Sequence, residues 1–144
     1  MTTIYSTIGI PASGKSTWIN KFAEVNNFVV VNPDAIRGRL SGGDAGDQSR
    51  NGEVFKIAAK ELLAELVDGK SVCYDACCYN ASNRKMVEDI ADKTNSKIEW
   101  HYFPVTLETA IKRQETRARK VPLRIIEKML KGMSMPTTGT LIKH

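Results

Sequence analysis

The run Thr3-Ile4-Tyr5-Ser6-Thr7-Ile8-Gly9-Ile10-Pro11-Ala12-Ser13-Gly14-Lys15-Ser16-Thr17 decides how the rest of the chain is read. Thr3 to Ile8 is rich in β-branched residues and predicts a short strand. Gly9 to Ser16 matches GxxxxGK[ST] in full. Thr17 to Val25 predicts a helix, with Trp18, Ile19, Phe22 and Val25 spaced along one face. Strand, glycine loop and helix in that order are the context that separates a working phosphate loop from a chance match. Gly9 and Gly14 permit backbone approaches that side chains would block. The N–H groups of the loop and first helical turn then converge on phosphate oxygens. The expected ATP-binding set is Gly9, Ala12, Ser13, Gly14, Lys15, Ser16 and Thr17, with Ser13 and Thr17 as hydrogen-bonding support. Lys15 would reach the β- and γ-phosphates, and Ser16 would offer its hydroxyl to Mg²⁺.

Outward from this loop, strands and helices alternate. Phe28 to Val31 reads as a strand buried on both faces. A short helix spans Asp34 to Leu40, and Ser41 to Gly52 reads as a flexible loop. A helix from Glu53 to Val67 ends at Gly69. Ser71 to Asp75 is a strand, and a helix starts at Ser82 or Asn83 and runs to about Lys93. Lys97 to Phe103 is a strand. Thr106 caps a helix to about Arg117, and Leu123 to Leu130 forms the last one. The tail from Gly132 to His144 has no period and is expected to pack loosely on the surface. This alternation predicts an α/β fold, an open parallel sheet with helices on both faces. It is the P-loop NTPase fold, one domain over residues 1–144 with a short helical lid at about 113–122.

The chain has 144 residues, 42% of them hydrophobic. No apolar run approaches the roughly 20 residues of a membrane span, and no basic segment precedes an apolar one at the start. A cytoplasmic location without membrane association is expected. Cys73, Cys77 and Cys78 are odd in number and too tightly spaced for a disulfide framework. They read as unreactive thiols near a buried strand. The net charge of +5 is concentrated in Lys112, Arg113, Arg117, Arg119 and Lys120, with Arg124, Lys128 and Lys131 following. Such a block suits a polyphosphate or a nucleic-acid backbone.

Ligands of open α/β sheets sit at the carboxyl ends of the strands. Two aspartates lie there. Asp34 follows the second strand and is placed to orient an acceptor hydroxyl and take its proton. Arg37, one helical turn on, would hold a charge on the same substrate. Asp75 ends the third predicted strand, where an acid can hold Mg²⁺ directly or through water, or position the second substrate. Asn80 and Arg84 follow, and Arg84 is a candidate to reach back to the acceptor. Arg113 and Arg117, four apart, are expected on one helix face, with at least one gripping ATP phosphates as a hinged lid.

The segments TIGIPASGKSTW, VNPDAIR, VCYDACCYNASNRK, KRQETRARKVP and LRIIEKMLKGM together resemble the 5′-hydroxyl polynucleotide kinase domain of the bacteriophage end-healing enzymes, over about Ile4 to Met133. The resemblance implies Asp34 as general base on a 5′-hydroxyl, Arg37 on the adjacent 3′-phosphate, and Arg113 and Arg117 as lid arginines on the phosphates. Lys15 and Arg117 would stabilise the charge that develops during transfer. The implied reaction moves the γ-phosphate of ATP to the 5′-OH end of DNA or RNA, with Mg²⁺. The phage enzyme is an oligomer, so the resemblance also implies a homo-oligomer. No 3′-phosphatase activity is expected of this chain. The loop at 41–52 departs from an acceptor platform: it lacks aromatic residues for stacking, and Asp44 and Asp47 would repel a phosphate backbone. A kinase of a nucleoside, nucleotide or other metabolite on the same fold is therefore the alternative, and a nucleotide-binding regulator without an acceptor is a third reading.

Overall fold

The computed structural model describes residues 1–43, 50–117 and 120–144. Its elements are β1 (Thr3–Ile8), α1 (Lys15–Asn26), β2 (Val29–Val31), α2 (Pro33–Leu40), α3 (Asn51–Val67), β3 (Val72–Tyr74), α4 (Ala81–Thr94), β4 (Lys97–Tyr102), α5 (Leu107–Gln114), α6 (Leu123–Lys131) and β5 (Thr140–Lys143). The five strands form one sheet in the order β2-β3-β1-β4-β5, with every pairing parallel. The expected α/β architecture, a parallel sheet flanked by helices, is what the chain adopts.

Alternation along β1 sends residues to opposite faces of the sheet. Ile4 and Ile8 join Val31, Val72, Trp100 and the buried stripe Val54, Ala58 and Leu62 of α3 in the main core. Full burial of a side chain such as Leu62 contributes about 1.5–3 kcal/mol. Tyr5 faces the other way, with Cys73, onto Ile19 and Ala23 of α1. A third cluster sets Ile126 of α6 and Ala110 of α5 against Ile10 of the glycine loop. Helices α5 and α6 are thereby packed onto the glycine loop.

Several expectations need correction. The second strand is at the sheet's edge, and Val29 is 47% exposed, so it is not buried on both faces. The inward face of α1 is Lys15, Ile19 and Ala23, whereas Val25 points into solvent. The tail does not lie loosely: residues 140–143 add a fifth strand beside β4. Trp100 Nε1 donates to Thr138 O at 3.1 Å. At Gly139 a Cβ would sit 2.9 Å from Ile98 O, so the close approach of the tail to β4 requires glycine. Asp44, Asp47 and Arg119 lie outside the described residues.

The tail is also held by aromatic and imidazole contacts. Trp18 stacks on His101 with ring centroids 4.2 Å apart, and Phe103 stacks on His144 at 4.1 Å. Glu99 Oε1 lies 2.7 Å from His101 Nε2, and His101 Nδ1 lies 2.8 Å from His144 Nε2. The carboxylate accepts from His101 Nε2–H, so the neutral His101 ring accepts at Nδ1 and His144 donates. Burial pushes both imidazole pKa values down; Glu99 opposes this at His101, and His101 adds to it at His144. Among the described residues no helix is long and apolar enough to cross a membrane.

Candidate active site

The glycine loop leaves β1 and turns into α1 through two left-handed residues, Ala12 (φ 67°) and Gly14 (φ 93°). A Cβ at Gly9 would stand 2.5 Å from Ser13 Oγ and 3.3 Å from Phe103 O. The absence of that atom makes room for the loop to close. No side chain caps the start of α1, so the first-turn N–H groups there lack intrahelical partners. Lys15 is buried within the site.

Asp75 follows β3 directly and is buried. Ser16 Oγ donates to one of its oxygens at 3.1 Å, and Asn32 Nδ2 donates to the other at 3.2 Å. Burial pushes the Asp75 carboxyl up; the Lys15 ammonium and the Ser16 hydroxyl oppose this, and Asp34 adds to the rise. A cation beside this carboxylate would reverse the burial effect. Among the described residues no three His, Cys, Asp or Glu side chains cluster as metal ligands. The hard oxygens of Ser16 and Asp75, 3.1 Å apart, would fit Mg²⁺ of the kind held by one or two protein groups together with phosphate and water.

Asn32 is the residue the sequence reading missed. Its amide nitrogen bonds Asp75, while its Oδ1 accepts from Asp34 N at 2.8 Å and Ala35 N at 3.3 Å, capping α2. One side chain thus ties the Asp75 carboxylate to the backbone of Asp34. The signal was present as Asn-Pro-Asp, an N-cap followed by proline at the first helical position. Asp34 and Arg37 are brought together as an ion pair at i, i+3, with Arg37 buried and Asp34 half exposed. Arg37 Nε also donates to Asn51 Oδ1 at 3.0 Å, which joins α2 to the start of α3.

Arg84 is not brought to the acceptor. Its guanidinium donates to Cys78 O, Ser134 O and Ser134 Oγ, which makes it a buried strut between the loop after β3 and the tail. Asn80 is the cap of α4, accepting from Asn83 N at 2.9 Å. The cysteines are free thiols. Burial pushes Cys73 and Cys78 up to about 12, so both stay protonated and unreactive at neutral pH.

Arg113 and Arg117 do not share a helix face, because α5 ends at Gln114 and Arg117 lies in the following turn. Both nevertheless line one cleft of about 840 Å³ with residues 12–17 of the loop, Trp18 and Phe103. Arg113 Nη1 donates to Ala12 O at 3.1 Å. Among the described residues Arg117 Nη1 and Ser13 Oγ are buried without a hydrogen-bond partner. A buried guanidinium N–H with no partner is costly, and phosphate oxygens in the cleft would satisfy it. The residues present fit a nucleoside triphosphate. At the base of the lid, the Gln114 side chain bonds the Val121 backbone twice, N–H and C=O, each at 2.9 Å.

Parallel strand order, glycine loop and lid together define a P-loop kinase-like fold. The model of the AAA domain family AAA_33 matches residues 4–136, and the chain belongs to that family. A sugar kinase from Janibacter aligns over 100% of this chain and 85% of its own, with a TM-score of 0.74 and 16% identity. The Mycobacterium tuberculosis APS kinase in complex with AMPPNP and APS aligns over 99% and 87%, with a TM-score of 0.63 and 13% identity. A chain of the Pnkp1/Rnl/Hen1 RNA repair complex aligns over 91% of this chain with a TM-score of 0.78 and 25% identity, but this chain spans only 43% of it.

Proposed function

We propose that the protein is an ATP- and Mg²⁺-dependent kinase that phosphorylates a hydroxyl lying next to an anionic group on its acceptor. The observation that supports this is the continuous link Ser16–Asp75–Asn32–Asp34, three hydrogen bonds that tie the backbone of Asp34 to the glycine loop. Asp34 orients the acceptor hydroxyl and takes its proton as the oxygen attacks the γ-phosphorus and ADP departs. Arg37, beside Asp34, holds the acceptor's negative charge. Lys15 and Arg117 stabilise the charge on the transferring group. Mg²⁺, held through Ser16 and Asp75, would supply neutralisation of the β- and γ-phosphate oxygens.

Small hydroxyl compounds are the acceptor class with the broader structural support, since the sugar and APS kinases align over most of their own length. A 5′-hydroxyl nucleic-acid end is the second reading. It is favoured by the likeness to the RNA repair protein and by Arg37 one turn from Asp34, a spacing that suits a phosphate beside its neighbouring hydroxyl. A nucleoside 3′-monophosphate meets both requirements. The test is transfer from γ-labelled ATP to a 5′-hydroxyl oligonucleotide, a nucleoside 3′-monophosphate, and free nucleosides, nucleotides and sugars. Label on the first two alone would select the nucleic-acid end. Label on free nucleosides or sugars alone would select the small acceptor, and no label on any would sink the kinase reading.

A further inference from the structure

Arg124, Lys128 and Lys131 are exposed on α6 at i, i+4 and i+7, so they share one face. They span about 10.5 Å along the helix axis. None of the three enters an ion pair among the described residues. Lys128 and Lys131 also stand in the last turn of α6, where the helix dipole favours cations, so the helix holds this positive row without an internal partner for each charge.

The position of α6 says what that could be. Its inner side is pinned to the phosphate loop through Ile126 and Ile10. Its start adjoins the lid, where Val121 is bonded to Gln114. Beyond its end, Ser134 N donates to Tyr79 O at 2.9 Å, in the loop that follows Asp75. The helix therefore runs from the Gln114–Val121 turn past the glycine loop to the loop after β3, with its cations outward. The backbone of a nucleic-acid strand is a regular row of anionic phosphates, and three cations in line give such a row three points of contact. A small acceptor has nothing to place there.

We propose that this face of α6 is a track for the sugar–phosphate backbone of a nucleic-acid acceptor, leading away from a 5′-hydroxyl held at Asp34. The proposal rests on the second acceptor reading and extends it. Lys112 and Lys120, both exposed, widen the positive field beside the track.

The experiment compares wild type with R124Q/K128Q/K131Q, by fluorescence anisotropy on a labelled 5′-hydroxyl single-stranded 20-mer across a salt series. Transfer to the same 20-mer and to a nucleoside 3′-monophosphate is measured in parallel. The expected result is binding of the 20-mer weakened by roughly tenfold at low salt, and a log Kd against log salt slope lower by about 2, near 0.7 for each phosphate no longer neutralised. KM for the 20-mer should rise with it, while turnover of the mononucleotide stays unchanged. An unchanged slope and KM for the 20-mer would overturn the track. Absence of 5′-transfer by wild type would instead overturn the acceptor reading, and the anisotropy slope would still judge the track. Should the triple variant fold poorly, K128Q alone should lower the slope by about a third as much.

Discussion

Around Asp75 both carboxylate oxygens have partners, Ser16 and Asn32, and the residues that supply them come from α1 and from the turn after β2. Across the cleft, Arg113 makes one bond to a loop carbonyl, and among the described residues Arg117 keeps a buried N–H with no partner. The first half is set in place by the sheet; on the proposed function, the second would be completed by the phosphates of the nucleotide. The difference follows from where the residues sit. Ser16, Asn32 and Asp75 stand within one or two residues of element ends, whereas Arg117 lies between two helices. A preorganised group acts on the developing charge without reorganisation at the moment of reaction.

The largest effect that would test this division is expected at Asp34. D34A should cut transfer by up to about 10⁴-fold, with the Kd for ATP within about twofold of wild type by calorimetry. A collapse of ATP affinity would move Asp34 into the phosphate half. K15A should lower transfer by about 10³-fold. R117Q should cost about 10²-fold in transfer without lowering the Tm, because its unpartnered N–H contributes nothing to the folded chain alone. A Tm loss of several degrees would mean that the lid is as fixed as the loop. N32A should lower stability by about 1 kcal/mol through the lost cap and slow transfer several-fold, read by thermal unfolding together with steady-state kinetics. The smallest effect concerns the tail. His101 and His144 both have folded pKa values below the ordinary imidazole value of about 6.5. Their contribution to stability is therefore fully present above that ordinary value and is lost as pH falls through the lowered folded one. The Tm should decline modestly from about pH 8 to pH 5, and His144→Gln should flatten that decline.

The glycine loop, the strand alternation and the positions of Asp34 and Asp75 just after β2 and β3 were legible because each is a local pattern: a spacing, a period, an acid following a strand. Asn32 was legible only in part, since its cap is local but its bond to Asp75 spans 43 positions. Arg84 misled because position after a strand does not say which way a long side chain turns; here backbone carbonyls, one of them from the tail, claim it. The fifth strand was missed for the same reason. Thr140 to Lys143 is exposed throughout, so it carries no alternation to read, and parallel pairing with β4 alone defines it. The helix face proposed for Arg113 and Arg117 failed because α5 stops at Gln114, a residue with no helix-breaking character of its own.

That same glutamine limits what the lid can do. By bonding both backbone groups of Val121, it fixes the two ends of the lid to each other, and the apolar contacts of α5 and α6 with Ile10 fix them to the loop. On the proposed function, closure over a nucleotide would be less a swing of helices than the seating of the Arg113 and Arg117 side chains on phosphate, at up to about 2 kcal/mol of rotamer freedom each. A charge-assisted hydrogen bond to phosphate contributes about 1.5–3 kcal/mol, so each arginine needs little more than one such bond to stay seated. Loss of one phosphate from the bound nucleotide is enough to tip that balance back, which would couple product release to the transfer itself.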